Sequence, residues 1–151
     1  MAAGAWLIYN KAIKKIGNGT IDLSATTFRL ALFGSGGNYA TSTLSLLGSA
    51  TDQVTSGNGY SSSGKACTSE IWTAGSSAGA YKFDVDDLVW TATGGAINSI
   101  KAAIIYTSGA SAGACHVLCW SQLTSSAFNL GSGSTLTLTI NASGVFELAN
   151  A

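Results

Sequence analysis

The apolar residues near the N-terminus recur at helical spacing. Trp6, Tyr9, Ile13 and Ile16 fall three or four residues apart, while Lys11, Lys14 and Lys15 fall mostly on the other face. Gly17, Asn18 and Gly19 then supply a glycine C-cap, and the lysines before it suit the negative pole of a helix. This pattern predicts a short amphipathic helix within an N-terminal arm, residues 1–18. Two placements fit it: a helix docked on its own core, or an arm whose Trp6/Tyr9 face docks on a partner. After Gly19 the period changes to two. Residues 27–33 alternate Phe28, Leu30 and Leu32 against Thr27, Arg29 and Ala31 until Gly34. Leu44, Leu46 and Leu47 are ambiguous between a strand and one helical turn. Residues 51–65, with Gly57, Gly59 and Gly64, read as a long excursion, a feature that is often functional. Strands are predicted over 67–73, 80–84, 87–92, 97–107, 115–122, 135–141 and 145–148, separated by Gly/Ser turns. In 135–141, Leu136, Leu138 and Ile140 alternate with threonines, the mark of a half-buried strand. Eight or nine short strands predict a single all-β domain over residues 19–151, a β-sandwich or a jelly-roll-like closed barrel.

Composition narrows the function. The 151 residues include seven Lys+Arg and seven Asp+Glu, so only 9% are charged. Electrostatic nucleic-acid binding needs clustered surplus cations, which this chain lacks. A hydrophobic share of 46% on a neutral chain argues against disorder. No apolar run reaches the ~18 residues of a membrane helix. The lysines follow the first apolar run instead of preceding it, which is the reverse of a secretory signal, so synthesis in the cytoplasm is expected. Cys67, Cys115 and Cys119 are then expected as buried free thiols, the alternative being a bridge that involves Cys67 or a neighbouring chain.

Candidate chemistry is sparse. Residues 75–79 around Ser77 and 109–113 around Ser111 both match G-x-S-x-G, but a nucleophile elbow needs a helix after it, and strands are predicted there. His116 is the one histidine, set between Cys115 and Val117 where alternation turns it away from the cysteines. Asp84, Asp86 and Asp87 suit a turn whose carboxylates accept backbone N–H groups; calcium binding and salt bridges to a neighbouring subunit are the alternatives. No catalytic, cofactor or metal residue is assigned. The large contact residues are Trp72, Trp90 and Trp120 with Tyr60, Tyr81 and Tyr106, a residue class that serves both cores and interfaces.

Residues 6–23 and 27–33, Gly57-Asn58-Gly59-Tyr60, residues 83–90 and residues 141–146 resemble segments of small tailed-bacteriophage virion structural proteins. The resemblance covers most of the chain, with 36–56 and 107–114 outside it. It implies a capsid decoration or cement protein with no catalytic residue. Such a protein is made in the host bacterial cytoplasm and sits on the outer capsid surface. Its partners would be the major capsid protein lattice and itself, as a homotrimer, with neither nucleic acid nor membrane involved. A tail or neck component, or a fibre or adhesin module that binds glycans, are the alternatives. Trp6, Tyr9, Ile13, Tyr60 and Trp72 are the expected interface residues, with 51–65 as a second contact. Deleting 1–16 is expected to leave a foldable body but to weaken attachment to the shell.

Overall fold

The computed structural model describes residues 4–149. It is mainly β, with several antiparallel sheets and one short helix. In chain order the strands are β1 (Leu7–Ile8), β2 (Phe28–Phe33), β3 (Lys65–Ala66), β4 (Ile71–Ala74), β5 (Tyr81–Asp84), β6 (Leu88–Thr91), β7 (Ile97–Ile100), β8 (Ala102–Thr107), β9 (Val117–Gln122), β10 (Phe128–Leu130), β11 (Thr135–Leu138) and β12 (Phe146–Leu148). The helix α1 (Asn10–Gly17) follows β1. The largest sheet runs β1-β9-β8-β2-β3; β12-β5-β4 form a second, and β10-β7 and β11-β6 pair off.

The five-stranded sheet is the centre of the molecule. All six residues of β8 are buried, and in β2 only Arg29 is partly open. A strand covered on both faces reads as a continuous apolar run, as Ala102-Ala103-Ile104-Ile105 does. The alternation of 27–33 therefore does not mark an exposed face: Ala31 and Phe33 are buried along with Leu30 and Leu32.

The predicted 97–107 strand is two strands. β7 pairs with β10 and β8 with β2 and β9, so the chain must change sheets between them. Lys101 is that corner: its N–H bonds to Phe33 O, and its carbonyl accepts from Leu123 N. Ser99 just before it has φ 59°. Likewise 67–73 is interrupted. Cys67 N still bonds to Phe28 O, but Ser69 turns left-handed (φ 55°) and the chain re-enters a different sheet as β4. β10 lies in a Ser/Thr/Gly-rich stretch with no alternating signal. Of the leucines at 44–47, Leu47 begins a single 3-10 turn, Leu47–Ser49.

The helix is shorter than its apolar spacing suggests. Trp6 precedes it, and β1 pairs Leu7 with Trp120 and Ile8 with Cys119. Tyr9 is the N-cap in an extended conformation. Its ring is fully buried, its N–H bonds to Leu118 O, and its hydroxyl donates to Tyr39 O at 2.6 Å. Ala12 is buried, Ile16 is half-buried and Ile13 is exposed. At the other end Gly19 N bonds to Ile16 O with φ +75°, a left-handed closure that suits glycine. Residues 7–9 are thus built into the central sheet and its core.

Candidate functional site: an exposed apolar surface

The small sheet β12-β5-β4 carries three of the six exposed large apolar side chains among the described residues: Ile71, Tyr81 and Leu148. Trp72, Phe83 and Phe146 are cross-strand partners. They face inward, with Phe83 edge-on to Phe28 at 4.9 Å between centroids. The next row on that face, two residues on, is Ala74, Tyr81 and Leu148. This row overruns the core. Tyr81 is 52% exposed and Leu148 39%, and the Tyr81 ring stacks on half-buried Trp72 at 5.8 Å. On the opposite face Ile71 is 49% exposed, directly across from Asp84, in a row of polar neighbours: Thr73, Lys82 and Glu147.

Trp72 also walls a hollow of about 240 Å³ with Ile16, Gly19, Ile21, Asp22 and Leu23. The helix end and β4 therefore border the same depression. Ile13, one turn back from Ile16, is 55% exposed. An apolar strip thus runs from Ile13 and Ile16 across the hollow to Trp72, Tyr81 and Leu148. Trp6 is half-buried beside β12, where it lines a hollow with Val145, Phe146 and Glu147.

Of the five expected interface residues, Trp6, Ile13 and Trp72 reach the surface. Tyr9 and Tyr60 do not. Tyr60 is 5% exposed and its hydroxyl accepts Leu32 N–H at 2.9 Å, so both tyrosines are committed to the molecule's own interior. Their spacing and motif did not separate a surface ring from a core ring. Leu148 and Ile71 were missed as exposed residues, and Tyr81 was named among the large contact residues but not among the five interface residues. Their signal was present only in the pairing register, which puts Tyr81 and Leu148 one row beyond the core.

The 51–65 excursion folds back with Val54 and Tyr60 in the core. It walls a polar cleft of about 360 Å³ against Ala96–Ser99. Asp52, Asn58 and Ser99, three left-handed residues, line this cleft, and the Asp52 carboxylate accepts Gly36 N–H at 2.7 Å.

The acidic triplet does not converge. Asp84 accepts Val85 N–H and pairs with Lys82 at 3.0 Å. Asp86 accepts the Thr68 and Ser69 hydroxyls, and Asp87 accepts Ile140 N–H. These are turn and edge fastenings. Ser77 and Ser111 both sit in strand-to-strand turns, closed by Ala80 N to Ser77 O and Ala114 N to Ser111 O, so neither has the following helix of an elbow. The three cysteines are buried and free. Burial pushes the Cys67 thiol up to about 12, with Glu70 adding to it, and raises Cys119 well above the usual range. Thiols held protonated in this way are poor nucleophiles.

His116 lies against the helix. Lys15 Nζ donates to its Nδ1 at 2.6 Å, which requires a neutral ring. Burial first and the Lys15 charge second hold the His116 pKa below its ordinary 6.5; burial also lowers Lys15. The unfolded chain therefore takes up the proton first on acidification. This contribution to stability is intact above pH 6.5 and is lost as the pH falls through the lower folded value. NMR titration of this single histidine is expected to give a midpoint below 6.5, and Lys15→Gln is expected to move it up. A midpoint at or above 6.5 would contradict the contact.

No protein-family model matches the chain, and neither a curated protein nor a solved structure shows similarity to it.

Proposed function

We propose that this chain is a virion structural protein of the tailed-bacteriophage kind, acting as a decoration or cement protein that binds between major capsid subunits on the outside of the head. The supporting observation is the apolar strip of Ile13, Trp72, Tyr81 and Leu148 on an all-β body with very few charges. A protein that attaches by shape needs stiff backbone beneath its contact residues. Tyr81 and Leu148 have that, because they are paired strand residues one row out from Phe83 and Phe146. Half-exposed aromatic and aliphatic side chains lose little entropy on docking and shed weakly held water. The motif resemblance at residues 57–60, 83–90 and 141–146 points the same way. Many copies on one lattice multiply a modest contact through effective concentration.

The test is co-sedimentation with empty heads. Wild-type protein is expected to pellet with heads at a copy number in the hundreds. Tyr81→Ala combined with Leu148→Ala is expected to weaken attachment by about tenfold or more, that is, at least 1.4 kcal/mol. Full-strength binding by that variant would remove the strip from the contact. A few copies per particle would favour the tail or neck reading. The Trp72–Tyr81 stack also has the form of a sugar platform, so glycan-array binding lost on Trp72→Ala would favour the adhesin reading.

A further inference from the structure

Arg29, the chain's one arginine, lines a pocket that holds no carboxylate. The pocket, of about 470 Å³, lies between the end of the 51–65 excursion and the turn at 108–112, with buried Leu47, Tyr106 and Cys115 among its walls. The guanidinium is held along one edge. Its Nε donates to Ser63 O at 2.6 Å and its Nη2 to Gly64 O at 2.7 Å. The Nη1 end of the planar fork has no partner among the described residues. Two carbonyls satisfy hydrogen bonds but do not neutralise a cation. Among the described residues Arg29 makes no ion pair: Glu70 accepts the N–H of neighbouring Phe28 without reaching it.

Both walls are fastened by the fold itself. The Tyr106 hydroxyl donates to the same Ser63 carbonyl at 2.5 Å, so Arg29 and Tyr106 together fix the first wall. In the second, Ser108 N bonds to Thr27 O, Ala112 O accepts Gly48 N–H, and the Cys115 thiol donates to Ser111 O at 3.2 Å. The N–H groups of Ala110, Ser111 and Ala112 in that turn have no partner among the described residues. A preformed pocket of this size, with one charged donor and a few hydroxyls, has the make-up of a small-molecule site and orders little on binding.

We infer that this pocket binds an oxyanion, a carboxylate or phosphate group that pairs with the free end of the Arg29 fork and is ringed by the Ser108 and Ser111 hydroxyls and the N–H groups of 110–112. A guanidinium engages such groups through paired, charge-assisted hydrogen bonds, and successive backbone N–H groups in a turn favour negative charge. The pocket shares no residue with the apolar strip and can be tested with no head present, so either site can fail alone.

NMR of the isotope-labelled full chain decides it, titrated at constant ionic strength with inorganic phosphate, with acetate, and with methyl glucoside as the neutral probe. Phosphate or acetate is expected to give saturable shifts centred on Arg29 Nε–H and residues 108–115, and the tighter of the two identifies the preferred oxyanion. Ala110→Glu puts a carboxylate on the exposed rim and is expected to weaken binding about tenfold or more, with unchanged circular dichroism. Arg29→Gln is expected to weaken it at least as much. Should that variant unfold, because Ser63 and Gly64 lose their donors, the wild-type titration and Ala110→Glu decide without it. Shifts that never saturate, shifts centred on the α1 lysines, or an equal response to methyl glucoside would overturn the inference. So would undiminished binding by Ala110→Glu or by a folded Arg29→Gln chain.

Discussion

Tyr9→Ala is expected to lower the unfolding free energy by about 3–5 kcal/mol, the range for removing a large buried aromatic. The ring is fully enclosed, and its loss leaves a cavity between the start of α1 and β9. It also strands the Tyr39 carbonyl, which accepts the Tyr9 hydroxyl at 2.6 Å. Tyr9→Phe isolates that second part and should cost about 1–3 kcal/mol. Ile13→Ala, one turn on but 55% exposed, should stay within about 0.5 kcal/mol of wild type. Urea unfolding of the three variants gives the comparison. A Tyr9→Ala protein as stable as Ile13→Ala would mean that residues 7–9 do not hold the body together.

This ordering changes how the attachment experiment should be built. Deleting residues 1–16 removes β1 and the Tyr9 ring along with any docking residues, so lost binding would report a damaged body. Point changes at Ile13, Tyr81 and Leu148 leave the interior intact and report the surface.

The all-β class was legible because glycine turns punctuate short apolar runs, and every predicted strand overlaps an observed one. The helix end at Gly19 was legible because a left-handed closure needs that residue type. What the sequence could not carry was change of sheet. Ser99 and Ser69 adopt positive φ without a glycine to announce it, and Lys101 becomes a corner only because Phe33 and Leu123 lie on either side to bond with it. The same holds for the site. Tyr9 stands in a helical spacing and Tyr81 in an alternating one, and neither pattern says that the first lies inside and the second outside. The difference is set by long-range contacts absent from local pattern: Tyr9 bonds to Leu118 O and Tyr39 O, whereas Tyr81 pairs with Ala74 and Leu148 in a row beyond the core. Ile13 and Trp72 stand out in the sequence as large apolar residues, and the structure leaves Ile13 exposed and Trp72 half-buried. Leu148 and Ile71 became visible only with the register, which also settled that Tyr81, already a candidate contact, lies outside.

Gly59→Ala is expected to be the most damaging of the loop substitutions, at about 3 kcal/mol from backbone strain and overpacking together. Gly57 and Tyr60 exchange both backbone hydrogen bonds at 2.9 Å, and Asn58 and Gly59 between them have φ of 54° and 89°. This is the Asn-Gly form of a type I′ hairpin turn. The turn is pressed onto β6 and the chain after it: Thr93 N bonds to Asn58 O, and Asn58 Nδ2 donates to Ala96 O at 2.7 Å. A Cβ on Gly59 would come within 2.3 Å of Thr91 O, a backbone atom held in place by pairing with Thr135. Neither side can give way, so the turn must lift. Lifting it withdraws Tyr60 from the Leu32 N–H, opens the core from the excursion side and unseats Asn58 in the wall of the polar cleft. Gly57→Ala supplies the control. Its φ is 139°, but nothing lies within 4 Å of the added carbon, so it bears strain without collision. In a chain this long the Gly59 variant should melt roughly 6–12 °C below wild type. Equal losses for the two variants would show that left-handed strain alone, and not the seat on Thr91, is what the glycines relieve.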